Sequence, residues 1–280
     1  MKKIIKNRSW IITTVTIIAT LAIMLIALYA NSVTVKVNSL NLRTGPAVTY
    51  SVKEKINKGE RLQVISRKND WIKVISHHRE IGWVASWLVE NSSIKHVSSL
   101  SEATIVIDPG HGGSDSGALS TKGKEEKHYT LIFANKLAND LRAKGARVIL
   151  TRDTDKTVAL SKRPDIAIKN SASAFISIHF DSSDTANDAT GFTTYYYHPG
   201  RSRALAQSVD SGLDNLALDN RGVEFGNFLV IRDNSVPAIL IEGGYINNDN
   251  DFKKIDSAAY QDQYAQDVTT GLANYFKSNG

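Results

Sequence analysis

The sequence of 280 residues contains no cysteine, and this absence limits the kinds of site that it can form. Without cysteine the chain has neither a disulfide framework nor a thiolate zinc site. Any metal ion must therefore be bound by histidine, aspartate or glutamate side chains. Internal repeats and low-complexity tracts are also missing, so a repeat architecture is not expected.

Charged residues are missing from the segment at 10–30, which follows a short basic N-terminus. Residues 1–9 contain four basic side chains and no acid, and the next 21 residues contain no charge. At ~1.5 Å per residue, 21 helical residues extend ~31 Å, about the hydrocarbon thickness of a bilayer. The basic flank is expected to stay in the cytoplasm, which places everything after residue 31 outside.

A cleavable signal peptide is the alternative interpretation of residues 10–30. The apolar part of a signal peptide usually has only ~7–15 residues, with small residues before the cleavage position. Ala30 fits the last position, but Leu28 two places earlier is too large. We therefore expect an uncleaved membrane anchor, with secretion after cleavage as the alternative.

Basic and acidic residues are unevenly divided over the rest of the chain. Residues 32–100 hold 11 Lys and Arg against 5 Asp and Glu, whereas residues 101–280 hold 19 against 23. A basic segment outside the membrane suggests an anionic partner such as a cell-wall polymer or a lipid surface. Nucleic acid is not expected as a partner because the compartment is wrong.

Residues 33–90 predict a small all-β barrel. Runs such as VTVKV, RLQVI and WIKVI alternate in period two, which is typical of half-buried strands. The pairs GP, KG and ND between them are turn signals. Residues 91–101 are polar and rich in serine, which predicts a linker.

The motifs of this segment resemble those of a bacterial SH3 domain: LNLRTGP at 40–46, KGE at 58–60, Trp71, and GWV at 82–84. The resemblance implies that the domain binds cell-wall peptides or glycan. Trp71, Trp83 and Trp87 are the candidate wall-binding residues. The alternative is that Trp71 and Trp83 belong to the core.

From residue 104 onward, strand-like and helix-like patterns alternate. This alternation predicts an α/β three-layer domain at 102–280 with an open, mostly parallel sheet. Strands are predicted at 104–107, 146–150, 175–179, 191–197 and 238–242, and helices at 125–144, 161–171, 201–216 and 257–277.

Three apolar runs of this domain lead to a single polar residue. The run TIVI leads to His111, FISI is followed by His179, and AILI is followed by Glu242. Continuous apolar runs are typical of strands buried on both faces of a sheet. In open α/β sheets the ligand crevice lies at the carboxyl ends of the strands. We therefore expect these three side chains at one edge of the sheet.

Two histidines and a carboxylate at one edge predict a metal site. A second source of carboxylate is the start of the helix after His111, where Glu125 and Glu126 both occur. Position alone does not choose between them, since either acid would stabilise the helix N-terminus. Two histidines and one glutamate leave a fourth zinc position open, as catalytic sites require.

Glu242 has two interpretations of its own. Burying its carboxylate without a partner is costly. It acts either as the acid and base beside a metal site or as the partner of Arg163 or Arg232 in an ion pair.

Four motifs in order resemble the catalytic domain of zinc-dependent N-acetylmuramoyl-L-alanine amidases: DPGHGG at 108–113, EK at 126–127, SIH at 177–179, and PAILIEGGYINN at 237–248. The resemblance implies that His111, Glu126 and His179 bind one zinc ion and that Glu242 is the catalytic glutamate. The EK motif selects Glu126 over Glu125.

The implied reaction cuts the amide between the lactyl group of N-acetylmuramic acid and L-alanine in peptidoglycan. A zinc peptidase that cuts within the stem peptide is one alternative, and a non-catalytic wall-binding protein is another. Asn227 and Arg232 precede the strand that ends at Glu242 and are candidates for substrate contacts.

Overall fold

The chain forms two structural units, which lie mainly before and mainly after residue 97. The structure is a computed structural model that describes residues 2–90 and 98–279. Most of the predicted linker at 91–101 lies outside the described residues.

The first unit begins with a long helix, α1 (Lys2–Ala30). Its segment Trp10–Ala27 has a mean hydropathy of 2.4, and none of it is buried within the structure. By length and composition this helix is able to cross a membrane, which agrees with an anchor and with a signal segment alike. Asn31 connects the helix to the barrel, because it forms two hydrogen bonds with Val64 at 3.0 and 2.9 Å.

The rest of the first unit is a six-stranded antiparallel sheet with a short helix. The elements are β1 (Ser32–Thr34), β2 (Ser39–Arg43), β3 (Val52–Asn57), β4 (Arg61–Lys68), β5 (Trp71–Ile75), β6 (Ile81–Ala85) and α2 (Ser86–Glu90). The strands lie in the order β1-β4-β5-β6-β2-β3. Side chains of alternate residues, such as Leu40 and Leu42 in β2, are fully buried and form the core. The prediction of a small all-β barrel is confirmed.

The second unit alternates strands with helices, as predicted. Its strands are β7 (Thr104–Pro109), β8 (Arg147–Leu150), β9 (Ala174–Asp181), β10 (Phe192–Tyr196), β11 (Asn220–Phe225) and β12 (Ala238–Tyr245). Its helices are α3 (Glu126–Ala143), α4 (Lys162–Lys169), α5 (Arg201–Gly212), α6 (Leu229–Arg232), α7 (Asp249–Ile255) and α8 (Ala258–Asn279), with a 3₁₀ turn at Leu213–Asn215. The predicted helix at 201–216 thus ends as an α-helix at Gly212.

These strands form one mixed sheet in the order β11-β10-β12-β9-β7-β8. The neighbours β12, β9, β7 and β8 run parallel, whereas β10 runs antiparallel to β12. Glu242 of β12 pairs in register with His179 of β9. The prediction of an open, mostly parallel sheet is confirmed. The parallel pairing of β12 with β9 brings Glu242 and His179 side by side.

Helices cover both faces of this sheet. On one face, Phe133 of α3 packs edge-on against Tyr264 of α8, with ring centroids 5.0 Å apart. On the other face, Ala167 of α4 and Ile231 of α6 pack in a buried cluster with Phe175 of β9. The two helical layers leave the carboxyl ends of β7, β9 and β12 as the edge where polar side chains collect.

Candidate metal site and active centre

Three side chains from separate segments meet at the carboxyl end of the parallel strands. His111 lies in the loop after β7, Glu126 is the first residue of α3, and His179 lies near the end of β9. His111 Nε2 is 3.0 Å from Glu126 Oε2, and His179 Nδ1 is 3.0 Å from Glu126 Oε1. One donor atom from each residue lies within 4.8 Å of the other two. A single cation can therefore be reached by all three.

Glu126 is the buried centre of this group. The residue is 3% exposed, and its carboxylate also accepts hydrogen bonds from the backbone N–H groups of Ala118 at 2.9 Å and Phe180 at 3.0 Å. Burial by itself would raise its pKa, but the hydrogen bonds from His111 and His179 outweigh burial. The pKa of Glu126 is therefore held well below its ordinary value, and the carboxylate is negatively charged.

The neighbouring acid, Glu125, lies outside the group. Its side chain is 47% exposed, and one of its oxygens is 3.3 Å from Lys127 Nζ. The geometry thus brings Glu126, and not Glu125, to the two histidines. Spacing in the sequence alone does not make that choice.

Two glycines give the group the space that it needs. A Cβ atom added at Gly110 would lie 2.3 Å from the ring of His179. A Cβ atom at Gly117 would lie 2.5 Å from Glu126 Oε2 and 2.6 Å from the ring of His111. Any side chain at these positions would displace the donor atoms, so close approach of the backbone explains both glycines.

Asp115 also contributes to this group, and it was not predicted from the sequence. Its Oδ2 is 2.9 Å from His111 Nδ1, on the side of the ring away from Glu126. Burial lowers the pKa of His111, but hydrogen bonds with Glu126 and Asp115 outweigh that effect and raise it above its ordinary value. A carboxylate on the second ring nitrogen fixes the orientation of a metal-binding histidine. The signal was the aspartate four residues after His111 in the same glycine-rich turn.

Glu242 lies beside the three donors in the cavity. It lines the same cavity, and its Oε2 is buried with no hydrogen-bond partner among the described residues. Burial raises the pKa of Glu242 well above its ordinary value, and the negative charges of Glu126 and Asp181 raise it further.

The two arginines considered as ion-pair partners of Glu242 are engaged elsewhere. Arg163 Nη1 lies 2.8 Å from Asp108 Oδ1, and Arg232 Nε lies 2.9 Å from Asp233 Oδ1. Both contacts use carboxylates other than that of Glu242. The ion-pair interpretation of Glu242 therefore receives no support from the described residues.

These residues share a cavity of about 490 Å³. Polar side chains, including His111, His179 and Glu242, line one part of it, while Leu160 and Phe228 contribute to an apolar part. Leu160 is 61% exposed and Phe228 is 38% exposed. The cavity thus offers a charged centre next to an apolar wall, which suits an amphipathic substrate.

Comparison with known proteins assigns the second unit. Residues 105–274, more than half of the chain, match the protein family described as N-acetylmuramoyl-L-alanine amidase. The chain belongs to this amidase family. Residues 38–90 match the bacterial SH3 domain. Both resemblances inferred from the sequence motifs are confirmed.

Relatives and solved structures of amidases agree with the assignment. The probable cell wall amidase LytH of Staphylococcus epidermidis is 43% identical over 246 residues, which cover 85% of this chain and 82% of that protein. The protein of the same name from Staphylococcus aureus is 37% identical over 290 residues, covering 99% and 97%. The N-acetylmuramoyl-L-alanine amidase from Clostridium difficile 630 superposes with a TM-score of 0.62 at 37% identity, covering 64% of this chain and 98% of that chain. The amidase AmiC2 of Nostoc punctiforme superposes with a TM-score of 0.60 at 39% identity, covering 62% of this chain and 97% of that chain.

The two predicted substrate contacts of the amidase unit occupy different places. Asn227 lines the cavity, whereas Arg232 is not among the described residues that line it. Arg232 Nη1 instead donates to Asn227 Oδ1 at 3.1 Å. The arginine thus holds the asparagine, which is the residue that faces the cavity.

The three candidate tryptophans of the SH3 unit also differ. Trp71 is 6% exposed and belongs to the core, which was the alternative considered for it. Trp83 and Trp87 are partly exposed. Trp87 packs edge-on against Trp71 with ring centroids 5.9 Å apart, and Lys73 Nζ lies 5.9 Å from the Trp83 ring. Of these three candidates, Trp83 and Trp87 offer surface to a ligand.

Proposed function

We propose that this protein is a zinc-dependent cell-wall amidase in which His111, Glu126 and His179 bind one zinc ion and Glu242 is the catalytic acid and base. The bond cut is the amide between the lactyl group of N-acetylmuramic acid and L-alanine. The observation that carries the proposal is the convergence of three donor atoms within 4.8 Å, beside a buried glutamate whose Oε2 has no hydrogen-bond partner in the described part of the chain.

The donor set fits zinc. The family is generally zinc-dependent. Two imidazole nitrogens and one carboxylate oxygen are common ligands of catalytic zinc, and three protein ligands leave a fourth position for water or substrate. The Glu126 side chain is only 4% exposed. Its negative charge compensates part of the charge of a divalent cation. Asp115 orients the ring of His111 as an outer partner of a zinc ligand does.

Zinc, when bound, supplies a Lewis acid that polarises a carbonyl oxygen and lowers the pKa of water. The chain itself supplies proton transfer. A carboxyl group with a raised pKa is a better proton acceptor than an ordinary glutamate, and it returns the proton to the leaving amine of L-alanine. Glu242 lies beside His179 in the sheet, so its carboxyl group is held at the reacting centre.

The remaining contacts position the substrate. Asn227 offers a side-chain amide at the cavity wall, fixed by Arg232. Trp83 and Trp87 of the SH3 unit are the wall-binding residues that we propose, while Trp71 supports Trp87 from the core. The excess of basic residues at 32–100 favours anionic cell-wall polymers as additional partners. Peptidoglycan is the substrate.

The apolar helix after a basic N-terminus supports a location outside the cytoplasm. We favour a membrane anchor at residues 10–30, because its 21 uncharged residues exceed the ~7–15 apolar residues of a usual signal peptide and Leu28 is too large for the position two places before a cut after Ala30. Secretion to the cell wall after cleavage is the alternative. Sequencing the N-terminus of the protein isolated from cells separates the two.

Digestion of purified peptidoglycan tests the reaction. A fragment that starts at Asn31 keeps the hydrogen bonds with Val64 and should release intact stem peptides with a free L-alanine amine, but not in the presence of a zinc chelator. New termini within the stem peptide would identify a peptidase and contradict the proposed bond.

Replacing the catalytic carboxyl group tests the role of Glu242. Glu242→Gln should lower kcat by about 10²- to 10⁴-fold, the range for a general acid or base, while zinc content stays unchanged. Glu125→Gln, which alters an exposed acid next to a ligand, is the matched control and should keep full activity. Undiminished hydrolysis by Glu242→Gln would refute the assignment.

A further inference from the structure

We propose that two buried arginines, Arg152 and Arg163, are positioning residues for the metal site. The proposal rests on the proposed function, since it takes His111, Glu126 and His179 as the zinc ligands. In the described hydrogen bonds, neither arginine contacts the donor atoms of these side chains. Each instead binds the backbone of segments that carry them.

Arg163 holds the loop that carries His111. The residue is 4% exposed, and its Nη2 donates to the His111 carbonyl at 2.9 Å while its Nη1 donates to the Pro109 carbonyl at 2.8 Å. Nη1 also forms the ion pair with Asp108 at 2.8 Å. The charge of the guanidinium is thus compensated, and its donors fix the backbone on both sides of Gly110.

Asp108 extends this connection to the strand that carries His179. Asp108 is fully buried, and its Oδ2 accepts a hydrogen bond from Ser177 Oγ at 2.9 Å. The two residues are neighbours in the parallel pairing of β7 and β9. Ser177 lies two residues before His179, on the same face of β9. The pair of Arg163 and Asp108 therefore links the segments of both histidines.

Arg152 links the same loop to the helix that carries Glu126. The residue is 1% exposed, and its Nη2 donates to the carbonyl groups of Gly110 and Lys127, each at 2.8 Å. Thr130 of α3 reinforces this link, because its hydroxyl donates to the Gly110 carbonyl at 2.8 Å. Lys127 directly follows Glu126, so Arg152 fixes the first turn of α3 against the loop.

The backbone at His111 needs this support. Its φ of +59° lies in the left-handed region, which residues other than glycine rarely adopt. Such a conformation persists only where its surroundings hold it. The carbonyl groups of residues 109, 110 and 111 all accept hydrogen bonds from the two guanidinium groups. Those bonds hold the strained residue and with it the direction of the His111 ring.

Burying two cations side by side is unfavourable, which argues for a specific role. Burial and the positive charge of Arg163 lower the pKa of Arg152. Charged groups removed from water need several hydrogen bonds to compensate for lost hydration. Arginine meets that need with five donors in a rigid planar fork, whereas lysine has the same charge but lacks the fork. An Arg→Lys change therefore removes positioning and keeps charge.

Zinc affinity of the full-length protein in detergent tests the proposal. We expect Arg152→Lys and Arg163→Lys each to weaken zinc binding by about 10- to 100-fold, as outer partners of metal ligands do. Affinity is measured by competition with a chromophoric chelator, and the absorption spectrum of the Co²⁺ form reports the ligand geometry. Arg142→Lys, at an exposed position near the end of α3, is the matched control and should change neither.

A second control separates positioning from general destabilisation. Leu137→Ala leaves a cavity in the core side of α3 and lowers Tm without touching the network. The proposal is overturned if the lysine variants bind zinc as tightly as the parent, or if Leu137→Ala weakens zinc binding equally at the same loss of Tm.

Milder variants keep the test decisive where a lysine variant does not fold. Thr130→Val and Ser177→Ala each remove one hydroxyl of the network, and both should reduce zinc affinity and alter the Co²⁺ spectrum. Unchanged affinity in both would overturn the proposal. Failure of the unaltered protein to bind zinc would refute the proposed function itself, a result distinct from loss in the variants alone.

Discussion

Histidine and glutamate side chains meet in both units of this protein, with different surroundings. In the barrel, His78 contacts Glu54, and in the amidase unit His111 and His179 contact Glu126. The hydrogen bond with His78 lowers the pKa of Glu54, as the two histidines lower that of Glu126. The His78 side chain is 69% exposed, whereas those of His111 and His179 are 23% and 17% exposed. The side chain of Glu54 is 15% exposed and that of Glu126 is 4% exposed.

The difference shows that a histidine–carboxylate contact is not in itself a metal site. In the described part of the chain, Glu54 is contacted by one histidine, His78, and it also accepts a hydrogen bond from Ser76 of the same turn as His78. Glu126 is contacted by two histidines from separate segments of the sheet edge. What distinguishes the amidase site is the convergence of three donors on a buried point held by its surroundings.

The largest effect is expected from removing one histidine from each of the two clusters. His179→Ala should weaken zinc binding by more than about 100-fold, which is the upper end of the effect of outer partners, and should abolish hydrolysis. His78→Ala, the matched control in the barrel, should change neither. Zinc content after dialysis against a weak chelator, measured by mass spectrometry, checks both variants. Stoichiometric zinc in His179→Ala would refute its assignment as a ligand.

The strands that position the site could be predicted from the sequence, because their burial imposes an apolar pattern. The strands that lead to His111, His179 and Glu242 are continuous apolar runs, because both of their faces are covered by helices. Glu126 was not separable from Glu125 by pattern, since both acids suit a helix N-terminus and only the fold turns one of them inward.

The hydrogen bonds of Arg152 and Arg163 could not be predicted from the spacing of residues in the sequence. Arg152 and Arg163 act through backbone carbonyl groups of a loop that is distant in the sequence, and any residue presents such a carbonyl group. Only the folded chain shows which carbonyl groups they reach. A sequence pattern records side-chain types and carries no information on these contacts.

The elements that were not predicted are short or polar. The edge strand β11 (Asn220–Phe225) has no fully buried residue, so it has no periodic apolar signal. Helix α7 (Asp249–Ile255) has only seven residues, although Asn248 caps it by accepting hydrogen bonds from the N–H groups of residues 250 and 251. That capping signal was present in the sequence, but the helix is too short for a clear period.

A smaller effect is expected for Asp115, the carboxylate that contacts Nδ1 of His111. Asp115→Ala should weaken zinc binding by about 10-fold, the lower end of the range for such partners, because the Asp115 side chain is 60% exposed and water replaces part of its interaction. Competition with a chelator measures the change. Asp153→Ala removes an exposed acid paired with Lys156 and is the control. Equal zinc affinity in Asp115→Ala and the parent would show that the carboxylate does not orient His111.

The smallest effect is expected in the barrel, where the His78–Glu54 contact should stabilise within a window of pH. The hydrogen bond with Glu54 raises the pKa of His78 above 6.5, so its contribution is complete below 6.5 and is lost as pH rises through the raised value. The hydrogen bond with His78 lowers the pKa of Glu54 below 4.5, so that contribution is present above 4.5 and is lost as pH falls through the lowered value. The contact therefore contributes most to stability between pH 4.5 and pH 6.5.

Urea unfolding followed by tryptophan fluorescence measures this window, because all tryptophans after residue 31 lie in the barrel. The unfolding midpoint of His78→Ala should fall below that of the parent between pH 4.5 and 6.5 and approach it at higher pH. Lys53→Ala breaks the ion pair with Glu80 and removes a positive charge near Glu54, but it removes no histidine, so its effect should stay constant over the same rise in pH. A His78→Ala difference that grows above pH 6.5 would contradict the assignment, because a neutral imidazole cannot hold the carboxylate as strongly as its charged form does.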